Sequence, residues 1–317
     1  MFGLKTDWSL DVPSRYFILE DYLGNEARWC PGCGDHAVLT AVQRICRDEQ
    51  LPPEQTVVVS GIGCSSRFPH YMATYGFHGL HGRALPVAGG VKSRRPDLKV
   101  IVATGDGDCC SIGAGHWIHA IRYNQDMVVM MFDNNIYGLT KAQTSPTSRQ
   151  GQKTNTHPRG SWLPPLNPTA ATLGMTNVSF MAQTVDWMPG HLHAVLQAAY
   201  RHRGLSFVRI AQRCPQYTGK AFEEFVNDPS RILVLEHEKG IPLDPDLQKF
   251  YKNRMVHDPS DIVEATAISH REDVLPIGLF FWDPSRPCYD DFTQQGMDMS
   301  PEDKLRALNA EMDRFAV

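Results

Sequence analysis

The chain has no apolar run of membrane-spanning length. Its longest candidates, residues 127–132 and 277–282, stop far short of the roughly 20 residues that a bilayer core requires, so no membrane partner is expected. The opening Met1-Phe2-Gly3-Leu4-Lys5 lacks the pattern of a secretory leader, which points to a cytoplasmic protein. Nor is there an excess of positive charge. The 31 Lys and Arg stand against 35 Asp and Glu, a formal charge of −4, and the basic residues are scattered, which argues against nucleic acid. Neither a Walker A motif nor Gly-x-Gly-x-x-Gly is present, and internal repeats and low-complexity tracts are lacking. What remains is an ordinary globular composition. At 317 residues, it suffices for one large α/β domain or two smaller ones.

Two polar turns organise the sequence. Gly105-Asp106-Gly107-Asp108 follows the apolar run 100–103, and Asp133-Asn134-Asn135-Ile136-Tyr137-Gly138 follows the run 127–132. Continuous apolar runs of this kind read as strands buried on both faces. Residues 111–124 read as the crossover helix that a parallel pair requires. Loops at the carboxyl ends of parallel strands are where ligands bind, so the two turns are expected to share one site. There Asp106, the Asn134 side chain and the Ile136 carbonyl offer the hard oxygens that Mg²⁺ prefers. Gly105 and Gly107 leave backbone N–H groups open to phosphate. The expectation is a βαβ unit holding a metal-bridged diphosphate.

Eight cysteines without an export signal argue for reduced or metal-bound thiols instead of a disulfide framework. Cys30-Pro31-Gly32-Cys33-Gly34 precedes an amphipathic helix over 37–47, whose N-terminus would stabilise thiolates. Alone, this motif fits a structural zinc site or an iron–sulfur cluster; a thioredoxin-like pair lacks its preceding strand in 20–28. Cys64, in Gly61-Ile62-Gly63-Cys64-Ser65 after the strand 56–60, and Cys214, after the strand 205–210, stand at further strand ends. Cys46 falls inside a helix, Cys288 in the tail, and Cys109 and Cys110 read as small packing residues.

Residues 1–28 read as an N-terminal arm, 29–220 as the cofactor domain and 221–317 as a C-terminal extension, with the sheet ending near Cys214. Helix is expected again over 81–92, 191–202 and 301–315, a strand over 178–182, and a long ordered loop over 153–168.

In combination these segments resemble a known family. Gly105-Asp106-Gly107 and Asn134-Asn135, separated by 26 residues, are similar to the thiamine diphosphate motif. Cys30-Pro31-Gly32-Cys33-Gly34, Gly61-Ile62-Gly63-Cys64-Ser65, His81-Gly82-Arg83-Ala84 and Ile136-Tyr137-Gly138-Leu139-Thr140-Lys141 extend the likeness to the β subunits of 2-oxoacid:ferredoxin oxidoreductases over about residues 25–220. Tyr137 to Lys141 and Ser145-Pro146-Thr147-Ser148 most resemble the 2-oxoglutarate members.

The resemblance implies an α/β thiamine diphosphate-binding fold, a mainly parallel sheet with helices on both faces and an irregular C-terminal tail. It implies a [4Fe–4S] cluster on Cys30, Cys33, Cys64 and Cys214, and Mg²⁺ on Asp106, Asn134 and Ile136. Thiamine diphosphate would be lined by Ile62, Gly63, Cys64, Ser65, His81, Gly82, Arg83, Gly105, Gly107, Asp108, Gly138 and Leu139. The implied reaction converts 2-oxoglutarate, coenzyme A and oxidised ferredoxin into succinyl-CoA, CO₂ and reduced ferredoxin, or runs in reverse as a carboxylation. An α subunit would supply the carboxylate that activates the cofactor, and a dimer of heterodimers is the implied assembly. Lys141, Arg67 and His70 are the candidate contacts to the substrate's second carboxylate. Pyruvate or another 2-oxoacid is the alternative substrate. A carboligase or decarboxylase has no use for four cysteines, and a zinc-stabilised non-catalytic subunit is the reading from another class. Ser93-Arg94-Arg95 is more basic than the family's usual run.

Overall fold

A computed structural model of the chain describes residues 15–238, 240–293 and 299–315. Residues 1–14 of the expected N-terminal arm lie outside the described residues. Nine strands form one sheet: β1 Thr56–Ser60, β2 Tyr75–His78, β3 Lys99–Gly105, β4 Met127–Asp133, β5 Phe180–Val185, β6 Leu205–Ala211, β7 Ile232–Glu236, β8 Arg254–Val256 and β9 Leu275–Trp282. Their order is β2-β1-β3-β4-β6-β5-β9-β7-β8. From β2 to β5 every pairing is parallel.

Strand periodicity divides the core. In β4, Val128, Met130 and Phe132 enter one apolar layer, and Met127, Val129 and Met131 enter the other. The first layer is closed by α1 (Asp35–Asp48) through Val38, Val42 and Ile45, beside Leu192 and Val195 of residues 189–201. The second is closed by α2 (Ala84–Arg94) and α3 (Ala114–Tyr123), which contribute Leu85, Ala88, Trp117 and Ile121. Two short or late helices, α4 (Pro168–Leu173) and α5 (Pro189–Arg201), complete the crossovers to β5 and β6. Helices on both faces explain why the strands read as unbroken apolar runs.

The sheet does not end near Cys214, as expected from the sequence. Strands β7, β8 and β9 extend it: β9 pairs antiparallel with β5, with a bulge between Met181 and Ala182, and β7 joins β9 in parallel. Their apolar runs, Ile232-Leu233-Val234-Leu235 and Leu275 to Phe281, are buried. The helix Pro301–Asp313 is formed as expected. Among the described residues no helix is long and apolar enough to cross a membrane.

The long loop also has structure of its own. Gly151 N–H donates to the Ser161 carbonyl at 2.7 Å and Leu166 N–H to the Pro146 carbonyl at 2.8 Å, folding residues 144–166 back on themselves. Trp162 and Leu163 remain exposed on it.

Candidate active site

Because β1, β3, β4 and β6 run in parallel, their carboxyl ends lie on one edge of the sheet, where the two polar turns meet. A cleft there is walled by Ile62 to Ser65 after β1, Gly105 to Asp108 at the end of β3, and Asn134 with Ile136 to Thr140 after β4, with His81 and Phe132 completing it. The turns are also tied to each other, since the Tyr137 hydroxyl donates to the Gly107 carbonyl at 3.0 Å. Glycine is required at 107 because a Cβ would lie 2.2 Å from the Tyr137 ring. At the end of β4 the chain reverses through Asn135 in the left-handed region, φ 60°, a conformation that asparagine tolerates.

Asp106 is 3% exposed. It accepts from the hydroxyls of Ser145 and Thr147, the latter at 2.6 Å. Burial, followed by the neighbouring Asp133, pushes its carboxyl up to about 7, against the pull of those hydroxyls. Asp133 has its own counter-ion, with Arg209 Nη2 at 2.6 Å. Among the described residues no cation pairs with Asp106. Asn134 lies opposite; its Oδ1 accepts from Ile136 N–H at 3.2 Å and its Nδ2 donates to Gln212 Oε1 at 2.8 Å.

Asp108, two residues on, is spent differently. Its Oδ1 accepts from the backbone N–H groups of Ile62 and Gly82 at 3.1 and 2.7 Å and lies 2.7 Å from His81 Nδ1. Thr104 Oγ1 donates to Oδ2 at 2.7 Å. The carboxylate thus binds the β1 loop and the His81 loop to the tip of β3. Gly82 and Arg83 stand behind the wall: Gly82 has φ 70°, and the Arg83 guanidinium reaches the carbonyls of Gly82 and Ile112.

The cysteine-bearing loops converge beside the cleft. A Cβ on Gly138, which lines the cleft, would lie 3.5 Å from the Cys64 sulfur and 3.8 Å from that of Cys214. Gly34 N–H donates to the Arg213 carbonyl at 3.2 Å, and the Trp29 indole donates to the Cys64 carbonyl at 2.7 Å. Burial first, then Asp35, then the sulfurs of Cys214 and Cys30, push the Cys64 thiol up to about 12; burial, Asp35, Cys64 and Cys214 raise that of Cys33. Cys33 and Cys64 are thus each raised in part by neighbouring sulfurs. Among the described residues no three Cys, His, Asp or Glu side chains are arranged to hold a single metal ion. Cys46, Cys109, Cys110 and Cys288 are buried. Cys110 packs its sulfur 3.5 Å from that of Met131.

Lys141, Arg67 and His70 are not among the residues that wall the cleft. Lys141 is exposed with φ 71°, Arg67 reaches the Arg28 carbonyl and lies over the Tyr71 ring, and the His70 ring lies 5.1 Å from that of His78. Conversely, Gln212 and Trp29 were not anticipated as parts of the site, and Tyr137 was read only as part of the polar turn and of the resemblance, without a role. Ser145 and Thr147 entered the sequence reading only through their resemblance, without a role.

The family "Thiamine pyrophosphate enzyme, C-terminal TPP binding domain" matches residues 61–210, the stretch that carries both polar turns. The β subunit of 2-oxoacid:ferredoxin oxidoreductase 1 from Aeropyrum pernix is 38% identical over 268 residues, covering 83% of this chain and 80% of that one. The chain belongs to the β subunits of the 2-oxoacid:ferredoxin oxidoreductases. Within this family, 2-oxoglutarate oxidoreductase subunit KorB of Mycobacterium tuberculosis is 44% identical over 218 residues, 69% of this chain and 58% of the relative. The match thus spans less than two thirds of that relative's length. Among solved structures, the 2-oxoglutarate:ferredoxin oxidoreductase from Magnetococcus marinus with 2-oxoglutarate, coenzyme A and succinyl-CoA bound superposes with a TM-score of 0.78 at 33% identity, covering 92% of this chain and 96% of that one. The likeness thus extends beyond the thiamine-binding segment to the three added strands.

Proposed function

We propose that the chain is the cofactor-bearing β subunit of a 2-oxoglutarate:ferredoxin oxidoreductase, working with an α subunit, coenzyme A and a ferredoxin. The observation that carries this reading is Gly138, which lines the cleft while the sulfurs of Cys64 and Cys214 lie within contact distance of where its Cβ would be. A diphosphate site and a set of thiols then share one wall.

The donors suit the groups. Asp106 is a buried carboxylate without a cationic partner among the described residues, the position for Mg²⁺, and Asn134 and Ile136 line the same cleft. Cys30, Cys33, Cys64 and Cys214 are free thiols on loops tied together by the Gly34 N–H bond to Arg213 and the Trp29 indole bond to Cys64, the ligand set for a [4Fe–4S] cluster. When bound, thiamine diphosphate supplies a thiazolium that stores the electron pair released as a 2-oxoacid loses CO₂, and the cluster supplies the one-electron outlet. For its part, this chain holds the diphosphate end between two strand tips, keeps the wall in place through Asp108, and sets the thiols close by. The substrate assignment rests on the 2-oxoglutarate relatives. Lys141, Arg67 and His70 stay as candidate carboxylate contacts, with residues 29–220 as the cofactor domain.

The test is the purified complex. Iron, acid-labile sulfide and thiamine diphosphate should copurify with a partner chain, and 2-oxoglutarate should drive reduction of ferredoxin or a viologen faster than pyruvate does. Preference for pyruvate would reverse the substrate. Zinc in place of iron, with no thiamine, would overturn the reading.

A further inference from the structure

One side chain joins the two halves of this site. Gln212 follows β6 and is 1% exposed, held by its own N–H donating to the Asp133 carbonyl at 2.9 Å. Its Oε1 accepts from Asn134 Nδ2 at 2.8 Å, and its Nε2 donates to the Cys33 sulfur at 3.3 Å and to the Arg213 carbonyl. The polarity of this chain is fixed by its ends. The Arg213 carbonyl can only accept, so the Gln212 amide presents its NH₂ to Arg213 and Cys33 and its oxygen to Asn134. Asn134 must then give its NH₂ to Gln212, and its Oδ1, which accepts from Ile136 N–H at 3.2 Å, keeps a second lone pair for the cleft that Asn134 lines. If either amide were turned over, two oxygens or two NH₂ groups would face each other in a buried site.

We propose that Gln212 is a positioning residue that turns the Asn134 oxygen toward the metal of the diphosphate and donates a hydrogen bond to a cluster cysteine, thereby linking cofactor retention to the reduction potential of the cluster. The inference rests on the functional reading above. Hydrogen bonds to ligand sulfurs stabilise the more negative, reduced cluster and so raise its potential. Amide groups joined in series polarise one another, so a cation at Asn134 Oδ1 strengthens the bond to sulfur.

The experiment uses the holoenzyme with its partner chain and compares wild type, Gln212→Leu and Gln212→Glu. Three quantities are read: iron content, thiamine diphosphate retained after gel filtration, and the cluster potential from a titration followed by electron paramagnetic resonance. Gln212→Leu loses both arms and is expected to lower the potential and to shed cofactor. Gln212→Glu keeps an acceptor for Asn134 but has no donor for sulfur, so it is expected to retain cofactor at a lowered potential. A merely structural role would not separate the two readouts. Wild-type potential in an iron-replete variant would overturn the proposal. Should neither variant load a cluster, the wild type decides: with the glutamine side-chain amide labelled with ¹⁵N, the reduced cluster is expected to show coupling to a glutamine nitrogen, and its absence overturns the assignment. A wild-type complex without iron would instead defeat the functional reading itself.

Discussion

Asp106 and Asp108 stand two residues apart in one turn, both nearly fully buried, and do opposite work. Asp108 is surrounded by four donors from three segments, and its charge is consumed in holding the β1 loop, the His81 loop and the end of β3 together. Asp106 has two hydroxyls, a neighbouring carboxylate and no cation among the described residues. One is a rivet, the other the carboxylate that the proposed function assigns to a metal. Burial alone did not decide which was which; the count and sign of the surrounding partners did.

The sharpest way to break that contrast is Asp106→Asn, which removes the charge and keeps the shape. Retention of Mg²⁺ and thiamine diphosphate through gel filtration is expected to fall by about tenfold or more, roughly 1.4 kcal/mol at the least, while denaturant unfolding of the metal-free protein loses no stability. Retained cofactor would assign the metal elsewhere. Asp108→Asn should do the reverse in kind. An amide nitrogen placed among donors leaves buried groups unpaired, so a stability loss of about 3 kcal/mol is expected in denaturant unfolding of the metal-free protein. An unchanged midpoint would show that the loops do not depend on it.

The smallest effect is read in pH. With metal removed, the folded Asp106 carboxyl ionises near 7 and the unfolded one near its ordinary value of 3.8. Between those values the folded chain keeps a proton that the unfolded chain has released. This contribution to stability is therefore full below about pH 4 and is lost as pH rises toward 7. Asp35, pushed up to about 7 by burial and then by Asp186, acts with the same sign. Asp106→Asn should thus flatten the fall in metal-free stability between about pH 4.5 and 7.5 without abolishing it, and an identical slope in both proteins would deny Asp106 its raised carboxyl.

What could be read from the sequence follows burial. Strands β1, β3, β4 and β6, covered on both faces, appear as apolar runs, and their expected bounds lie within two residues of those observed. Strand β2 is exposed along its whole length, so no pattern marked Tyr75–His78. Strands β7 and β9 have runs as apolar as β4, but surrounding prolines and charges obscured them, and the direction reversal between β5 and β9 leaves no trace in a linear sequence. The polar turns were legible because each is contiguous and follows its own strand. Partners brought in from afar, such as Gln212 to Cys33 or Thr147 to Asp106, were not, because their meaning exists only after folding. Lys141, Arg67 and His70 were suggested by their charge and by lying in or behind the motif loops, which does not tell where a side chain points.

Gly138 has a kinetic consequence. An alanine methyl would sit at ordinary contact distance from both nearby sulfurs, so the space tolerates a small addition. Glycine leaves that part of the partition one backbone thick. Electron tunnelling weakens steeply with every layer of atoms interposed, and at Gly138 no side chain adds to that layer. Under the proposed function, electrons leaving the cleft toward these sulfurs would meet no side chain at this position.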